Sequence, residues 1–320
     1  MAVAKLITER PKEHQFSFEV LPPLKGTGTD GLFRDLEKLC ALNPAFINIT
    51  THHSEYVYRE LPDGKFERHR VRRRPGTIAV AAAIQQRFGV PVQPHIICSG
   101  VTVEDIEYEL LDLQFLGITD LLLLRGDKAK DDRTFQPTPG GHTHTTELIR
   151  QVQRFNEGFF ADGTPIKHPG PKFDIGVACY PEKHEEAPNM DSDMHWLLEK
   201  QRLGAQYAVT QLFFDNQKFF DFVDRARQTG ITIPIIPGIK PLAKMNQLTV
   251  VPRTFHCDIP KELADAIALC HTDEDALRLG IEWTTQQCQE LYEHGIADIH
   301  FYTMGAVDAV VEIAKNLDVK

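Results

Sequence analysis

Eight short apolar runs of strand character recur along the 320-residue chain, each separated from the next by a longer segment. They are Phe16–Val20, Ala45–Thr50, Val92–Cys98, Asp120–Leu124, Phe173–Cys179, Tyr207–Phe214, Thr232–Ile236 and Asp298–Tyr302. Several are apolar on consecutive residues, as a parallel strand covered on both faces must be. Between them, Leu32-Phe33-Leu36-Leu39-Cys40 and Ile106-Leu110-Leu113-Leu116 repeat at helical spacing, the second stopping at Gly117. Trp196–Leu203 stops at Gly204, and the pattern from Phe219 to Val223 runs on to Gly230. Glycine suits these three ends because it takes the left-handed conformation that terminates helices. Alternation of this kind predicts an α/β fold, a (β/α)8 TIM barrel, with residues 1–320 forming a single catalytic domain. The long interval Pro241–Ala297 predicts extra helices before the last strand, Asp273–His294 among them, and Val307–Ile313 predicts a closing helix. A doubly wound sheet shares this alternation, since counting strands does not reveal closure.

Composition removes several function classes. With 42% hydrophobic and 25% charged residues the chain is not of the disordered type, and no apolar run approaches the roughly 18 residues of a membrane span. Thirty-five Lys+Arg against 45 Asp+Glu give a net charge of −10, unsuited to a general nucleic-acid surface. Met1–Lys5 lacks the features of a secretory signal, and Cys40, Cys98, Cys179, Cys257, Cys270 and Cys288 form no C-x-x-C pair. The expectation is reduced thiols in a cytoplasmic protein. Within this acidic chain Arg68–Arg74 is a dense basic run, either a solvated face or a local site for a phosphate or polycarboxylate tail.

In a barrel of this type, function belongs at the C-terminal ends of the strands. Those ends carry Glu19, Thr50-Thr51-His52-His53, Arg125-Gly126-Asp127, Tyr180-Pro181-Glu182, Gln211 with Asp215, Pro237-Gly238 and Tyr302-Thr303, a polarity that favours an enzyme. Glu19 interrupts an apolar strand. Such a carboxyl has a raised pKa suited to a general acid, or else pairs with a nearby Arg or Lys. Gly126 lets a backbone approach a ligand, with Arg125 and Asp127 offering a cation and an acceptor. Tyr180–His184, Asp193 and Lys200 surround a helix start and could hold a cofactor's sugar and phosphates, or form a solvated acidic face. Gly26-Thr27-Gly28-Thr29-Asp30-Gly31 spells G-x-G-x-x-G, but five residues separate it from the strand and the second strand ends in Thr50 rather than an acid. A flexible loop is expected there. Fourteen histidines are present, yet Phe16–Val20 lacks the His-x-His of metal-dependent barrels and His142-Thr143-His144 lies in a Gly/Pro/Thr-rich loop, so no metal site is expected.

Read together, the strand-end strings carry a family signature. They are Ser17-Phe18-Glu19 with Pro22-Pro23, Leu124-Arg125-Gly126-Asp127, and Ala178-Cys179-Tyr180-Pro181-Glu182 with His184. Thr210–Asp215, Ile236-Pro237-Gly238-Ile239 and His300-Phe301-Tyr302-Thr303 complete the series. Over residues 14–318 the chain resembles the methylenetetrahydrofolate reductases of the short bacterial type. The resemblance implies a flavin-bearing barrel with bound FAD, reduced by NADH or NADPH. By a two-step hydride relay through the flavin it would turn 5,10-methylenetetrahydrofolate into 5-methyltetrahydrofolate, supplying methyl groups for methionine synthesis.

The resemblance also implies roles. Glu19 matches the general acid that helps open the folate's imidazolidine ring, and Asp127 an acid near flavin and pterin that stabilises the resulting cation. Gln211 matches a side chain that contacts folate and nicotinamide in turn, and Tyr302 lies near the substrate mouth. Thr50, His95, Leu124, Arg125, Gly126, Asp127, Ala178, Tyr180, His184, Ala187, Asp193 and Lys200 match FAD-binding positions. The implied partners are folate and a nicotinamide dinucleotide, with no nucleic acid and no membrane, in a homo-oligomer. A flavin- or folate-binding subunit reduced by a partner protein is the alternative, with a metal-dependent barrel hydrolase behind it. The chain departs from the family pattern in a longer Lys128–Gly141 stretch, an expanded Tyr58–Arg74 segment, Met245 in place of an aromatic residue, and Met304-Gly305-Ala306.

Overall fold

The computed structural model describes residues 3–9, 14–52, 55–128 and 134–317, so His53 lies outside the described residues. In chain order the first elements are α1 (Val3–Glu9), β1 (Gln15–Val20), α2 (Asp30–Cys40), β2 (Ile47–Ile49), β3 (Glu55–Glu60), β4 (Phe66–Val71) and α3 (Thr77–Phe88). There follow β5 (Val92–Ile97), α4 (Val103–Phe115), β6 (Asp120–Leu124), α5 (Thr145–Asn156), β7 (Asp174–Cys179), α6 (Met190–Arg202), β8 (Tyr207–Thr210) and α7 (Asn216–Thr229). The last are β9 (Ile235–Ile236), β10 (Gly238–Ile239), α8 (Gln247–Phe255), α9 (Lys261–Ala268), α10 (Asp273–Glu293), β11 (Asp298–Tyr302) and α11 (Val307–Asn316).

The parallel sheet runs β10-β11-β1-β2-β5-β6-β7-β8-β9. Its two ends are halves of one extended run interrupted at Pro237: Ile235–Ile236 pairs with β8, and Gly238–Ile239 pairs with β11. Proline brings no N–H to a ladder, but the Pro237 carbonyl accepts the His300 N–H at 3.0 Å. The sheet therefore closes into the expected eight-stranded barrel. Gly238 marks the tightest point of the seam, where an added Cβ would lie 2.3 Å from the Thr210 carbonyl oxygen and 2.5 Å from the Tyr302 ring.

Side chains on a strand alternate in direction, and partners in register share a face. Phe16, Phe18, Ile47, Ile49, Leu121, Leu123, Ile175 and Val177 join helix residues such as Leu36, Ile84 and Leu110 in one apolar layer. Ser17, Glu19, Asn48, Gln93, His95 and His300 alternate with that layer and so face the barrel axis. At the N-terminal end of the strands, Val3 and Ile7 of α1 pack with Phe46, Leu122, Tyr207, Val209 and Ile236, and the Val3 N–H donates to Asp120 at 2.6 Å. One end is thus plugged, and the C-terminal end is left for ligands.

The extra helices before the last strand are α8–α10. They enclose a second apolar cluster of Leu212, Phe214, Leu242, Val251, Cys257, Leu263, Ile267 and Ala276. The Trp283 indole N–H and the Gln287 amide tie α10 to the carbonyls of Phe214 and Phe213, at 3.2 and 3.1 Å.

Several boundaries differ from expectation. The strand starting at Tyr207 ends at Thr210, because Leu212 and Phe214 are buried under α8–α10 rather than in the sheet. Helix α6 begins at Met190, six residues before the expected start, with Asn189 capping it through Ser192 N–H at 2.9 Å. The basic segment holds an antiparallel hairpin, β3–β4, outside the barrel. Gly26 and Gly28 take positive φ in a loop, and an added Cβ at either would meet nothing within 4 Å, as suits a turn without close ligand approach. The six cysteines carry no disulfide.

Gly238→Ala forces a methyl group into the seam between β8 and β11. It should lower stability by about 1–3 kcal/mol or more, read as a shift in the urea midpoint at unchanged slope; an unshifted midpoint would mean the seam can open freely.

Candidate active site

The polar strand ends fall into two groups around the open mouth. The first centres on Glu19, which lies in register with Tyr302 on β11 and with Asn48 on β2. Its side chain is only 13% exposed, and its Oε2 stands 3.5 Å from Nε2 of the buried His95. That neighbour is an imidazole, not the Arg or Lys of the alternative reading. Burial pushes the Glu19 carboxyl up to about 8, and burial together with nearby His52 pulls the His95 imidazole down to about 3. At neutral pH the pair is therefore a protonated acid beside an uncharged ring. At 3.5 Å the contact is too long for a strong hydrogen bond, so the acid keeps a transferable proton. The main chain at Glu19 is fixed from the next loop, its carbonyl accepting the Thr303 hydroxyl at 2.7 Å.

Tyr302 sits beside Glu19, and its hydroxyl donates to the Thr210 carbonyl at 2.6 Å. Gln211 follows directly, its N–H donating to the Cys179 carbonyl at 2.8 Å and its own Oε1 accepting the Leu212 N–H at 2.9 Å. On the opposite side, the Thr50 hydroxyl meets His52 Nε2 at 3.3 Å and its carbonyl accepts the Thr77 hydroxyl at 3.0 Å.

Below Glu19 the axis is polar. The Ser17 hydroxyl and His300 Nδ1 are 2.8 Å apart, and both amide atoms of Asn48, Gln93 Oε1 and His300 Nε2 are buried without a hydrogen-bond partner. The floor below Glu19 is therefore lined by buried polar side chains rather than apolar ones. Ser17, Asn48, Gln93 and His300 were not foreseen as site residues. Their signal was period two: Gln15-Ser17-Glu19, Gln93-His95 and His300-Tyr302 alternate polar with apolar. Lys240, directly after β10, was also missed. Buried at 2% exposure, it donates to the Pro241 carbonyl at 3.0 Å, and burial lowers its ammonium to about 8.

The second group gathers at β6, β7 and α6. The Cys98 and Ser99 N–H groups donate to the Arg125 carbonyl at 3.1 and 3.0 Å, and the Ser99 hydroxyl donates to the Asp127 carbonyl at 3.1 Å. Gly126 has φ +84°, and an added Cβ would lie 2.8 Å from that of Ser99. Only glycine fits there, presenting bare backbone at the rim next to Leu124. The Arg125 guanidinium pairs with Glu186 and covers the Phe135 ring at 4.6 Å. The Tyr180 ring meets His184 edge-on at 4.7 Å. Asp193 on α6 accepts the His184 N–H at 2.7 Å; about two turns along the same face, Lys200 donates to the Ala178 carbonyl at 2.9 Å, its ammonium pKa lowered by burial. The Ala187 carbonyl is held by Lys183 at 2.7 Å. Asp127 is exposed, and its charge acts on Tyr180 of this group.

Outside both groups, the Lys218 ammonium bridges Glu182 and Asp258, and Asp258 N–H donates to Glu182 at 3.0 Å, locking the β7–α6 loop to the inserted helices. Met245 is half-buried against the second apolar cluster. Among the described residues no three His, Cys, Asp or Glu side chains converge as a metal site, and none of the helices is long and apolar enough to cross a membrane.

The Glu19 shift sets a pH dependence. From about 4.5, its ordinary value, to about 8, the folded protein holds a proton that the unfolded chain has lost. Stability is therefore fully present below that window and falls through it by about 1.4 kcal/mol per pH unit from this group. Glu19→Gln should remove this slope, so that the drop in unfolding free energy from pH 6 to pH 8 is smaller in the variant. Equal drops would place an ionised Glu19 in water.

The profile of the family described as methylenetetrahydrofolate reductase matches residues 5–318. Methylenetetrahydrofolate reductase (NADH) 1 of Arabidopsis thaliana is 29% identical over 323 residues, covering 98% of this chain and 50% of its own length. The 5,10-methylenetetrahydrofolate reductase of Escherichia coli (strain K12) is 27% identical over 321 residues, covering 100% of this chain and 96% of its own. The chain thus spans about half the length of the plant relative and nearly all of the bacterial one. Among solved structures, an uncharacterized protein from Clostridium thermocellum that binds two copies of 5-methyl-5,6,7,8-tetrahydrofolic acid shares the fold. Its TM-score is 0.60 at 14% identity, covering 98% of this chain and 97% of that one. On a match over nearly its whole length, this chain belongs to the methylenetetrahydrofolate reductase family.

Proposed function

We propose that this chain reduces 5,10-methylenetetrahydrofolate to 5-methyltetrahydrofolate, with FAD held at the barrel mouth and NADH or NADPH as donor, as a single catalytic barrel. The observation that carries this reading is Glu19: in a chain of this family, a carboxyl at the mouth is kept protonated by burial beside an uncharged His95. An acid whose pKa lies near the working pH is the kind that can deliver a proton to a ring nitrogen of the folate in the transition state.

The second group fits FAD. Gly126 leaves a cradle that a Cβ would fill, and Arg125 and Lys200 bring two cations to the same side of the mouth. Thr50, His95, Leu124, Arg125, Gly126, Asp127, Ala178, Tyr180, His184, Ala187, Asp193 and Lys200 would hold it. The flavin, when bound, carries hydride from the nicotinamide to the folate. The chain's own residues bind and orient. The Gln211 amide can both donate and accept, and so can serve a pterin and a carboxamide in turn. Tyr302 is anchored on Thr210 and walls the mouth beside Glu19. The exposed Asp127 carboxylate favours a positive charge on the pterin.

The visible spectrum tests the assignment. The FAD-loaded protein should bleach anaerobically with NADH or NADPH and recover its colour when 5,10-methylenetetrahydrofolate is added. A protein that takes up no FAD, or whose colour neither dinucleotide bleaches, would overturn the reading, the second result pointing to a partner protein as donor. Glu19→Gln should leave bleaching within about threefold but slow recovery by roughly 10²–10⁴-fold; equal loss in both halves would make Glu19 structural. Asp127→Asn should slow recovery more than bleaching, and the reverse order would remove its charge-stabilising role.

A further inference from the structure

Lys240 is a buried cation without a counter-charge. Its side chain is 2% exposed, and its ammonium donates to the Pro241 carbonyl at 3.0 Å, which uses one of three donors. Among the described residues no carboxylate lies in ion-pair range of it, and burial is the one cause of its lowered pKa. Two half-buried lysines of the same rim differ. Lys218 bridges Glu182 and Asp258, and Lys200 has the Asp193 charge nearby. An ammonium held this dry is costly unless an anion joins it.

The register shows where that anion can come from. Ile239 belongs to the outer apolar layer and Gly238 adjoins the Tyr302 ring, so Lys240 turns with Gly238 toward the axis. Pro241 keeps this alternation going, because a residue before proline stays extended. Gly238 pairs with His300 and Ile239 with Phe301; one step further, Lys240 comes beside Tyr302, which itself pairs with Glu19. Lysine, tyrosine and glutamate thus stand at one level on three neighbouring strands. The Glu19 charge acts on Tyr302, so those two side chains are close. The main chains of Lys240 and Glu19 are two strand spacings apart, about 10 Å, a gap that a four-carbon ammonium and an inward carboxyl can close. Around Glu19, burial holds His95 on β5 and Tyr302 on β11 uncharged at neutral pH, and His52, which acts on His95, meets Thr50. Arg125 and Lys200 stand with the second group. Lys240 is the cation that the register brings to the Glu19 side of the mouth.

We propose that Lys240 is the counter-ion for the Glu19 carboxylate formed when its proton passes to the folate, and so a positioning residue for that transfer. The inference rests on the reduction proposed above. In this step the Glu19 O–H bond breaks, an N–H bond forms on a folate ring nitrogen, and the electron pair stays on the carboxylate. Lys240 keeps its own proton and turns from the Pro241 carbonyl to the new anion. A cation attracts a neutral acid weakly and a carboxylate strongly, so it favours the transition state over the resting state. Without Lys240 the carboxylate would be left dry and unpaired, and the acid would hold its proton.

Two measurements on the FAD-loaded full chain test this. The first needs no turnover: the infrared carboxyl band of Glu19, identified by its loss in Glu19→Gln, is followed against pH. Lys240→Met should move the Glu19 midpoint upward by at least about one pH unit, and Lys240→Arg should bring most of that shift back. An unmoved midpoint would overturn the proposal. The second is the recovery of flavin colour with 5,10-methylenetetrahydrofolate. Lys240→Met should slow recovery at saturating folate by roughly 10²-fold while bleaching stays within about threefold. In Glu19→Gln the same change should cost less than about threefold more, because no proton leaves and no anion forms. Losses that multiply would make Lys240 structural. A raised folate half-saturation with unchanged maximal recovery would make it a site for a folate carboxylate; either result overturns the proposal. A chain that never recovers colour, yet whose Glu19 midpoint still moves, fails in the proposed reduction and not in the pairing of Lys240 with Glu19.

Discussion

A single hydrogen bond, from the Tyr302 hydroxyl to the Thr210 carbonyl, crosses the narrowest part of the barrel wall over a glycine that leaves it room. Much else follows from that crossing. It holds β8 and β11 together where the strand between them is broken at Pro237. It also fixes Tyr302 beside Glu19, whose carboxyl is desolvated by burial. Were the wall open there, Glu19 would be hydrated, and its pKa would return to the ordinary carboxylate range. The chemistry of the mouth is thus a property of how the sheet closes, as much as of the residues that line it.

Each strand serves two environments at once. Phe16 and Phe18 bind the helical layer while Ser17 and Glu19, one residue along, face the axis. The apolar half supplies the cohesion that permits the other half to carry buried amides and two uncharged histidines. Stability and reactivity are separated by a rotation of about half a turn per residue rather than by distance.

This also explains what could be read from the chain. The eight strands were legible because their outward residues are apolar, and the second group of mouth residues because Arg125-Gly126-Asp127 and Tyr180–His184 stand at strand ends. The run from Tyr207 overshot because Leu212 and Phe214 are apolar for a different core. The run from Thr232 undershot because pairing resumes beyond Pro237. The hairpin escaped notice because a ribbon outside the barrel needs no apolar alternation, and Arg68–Arg74 reads as a basic run rather than a strand. Glu19 was legible as a candidate acid, but its neighbour was not, since the contact with His95 joins residues 76 positions apart. Such closeness is set by register and strand tilt, which single-sequence patterns do not encode.

The short helix at the other end has a kinetic meaning. With Val3 and Ile7 wedged under the strands and the Val3 amide fastened to Asp120, the barrel is a cup rather than a tube. Arrivals and departures share one doorway. A molecule made at this mouth would stand where the next reactant must land, so a product that had not yet left would exclude its own precursor.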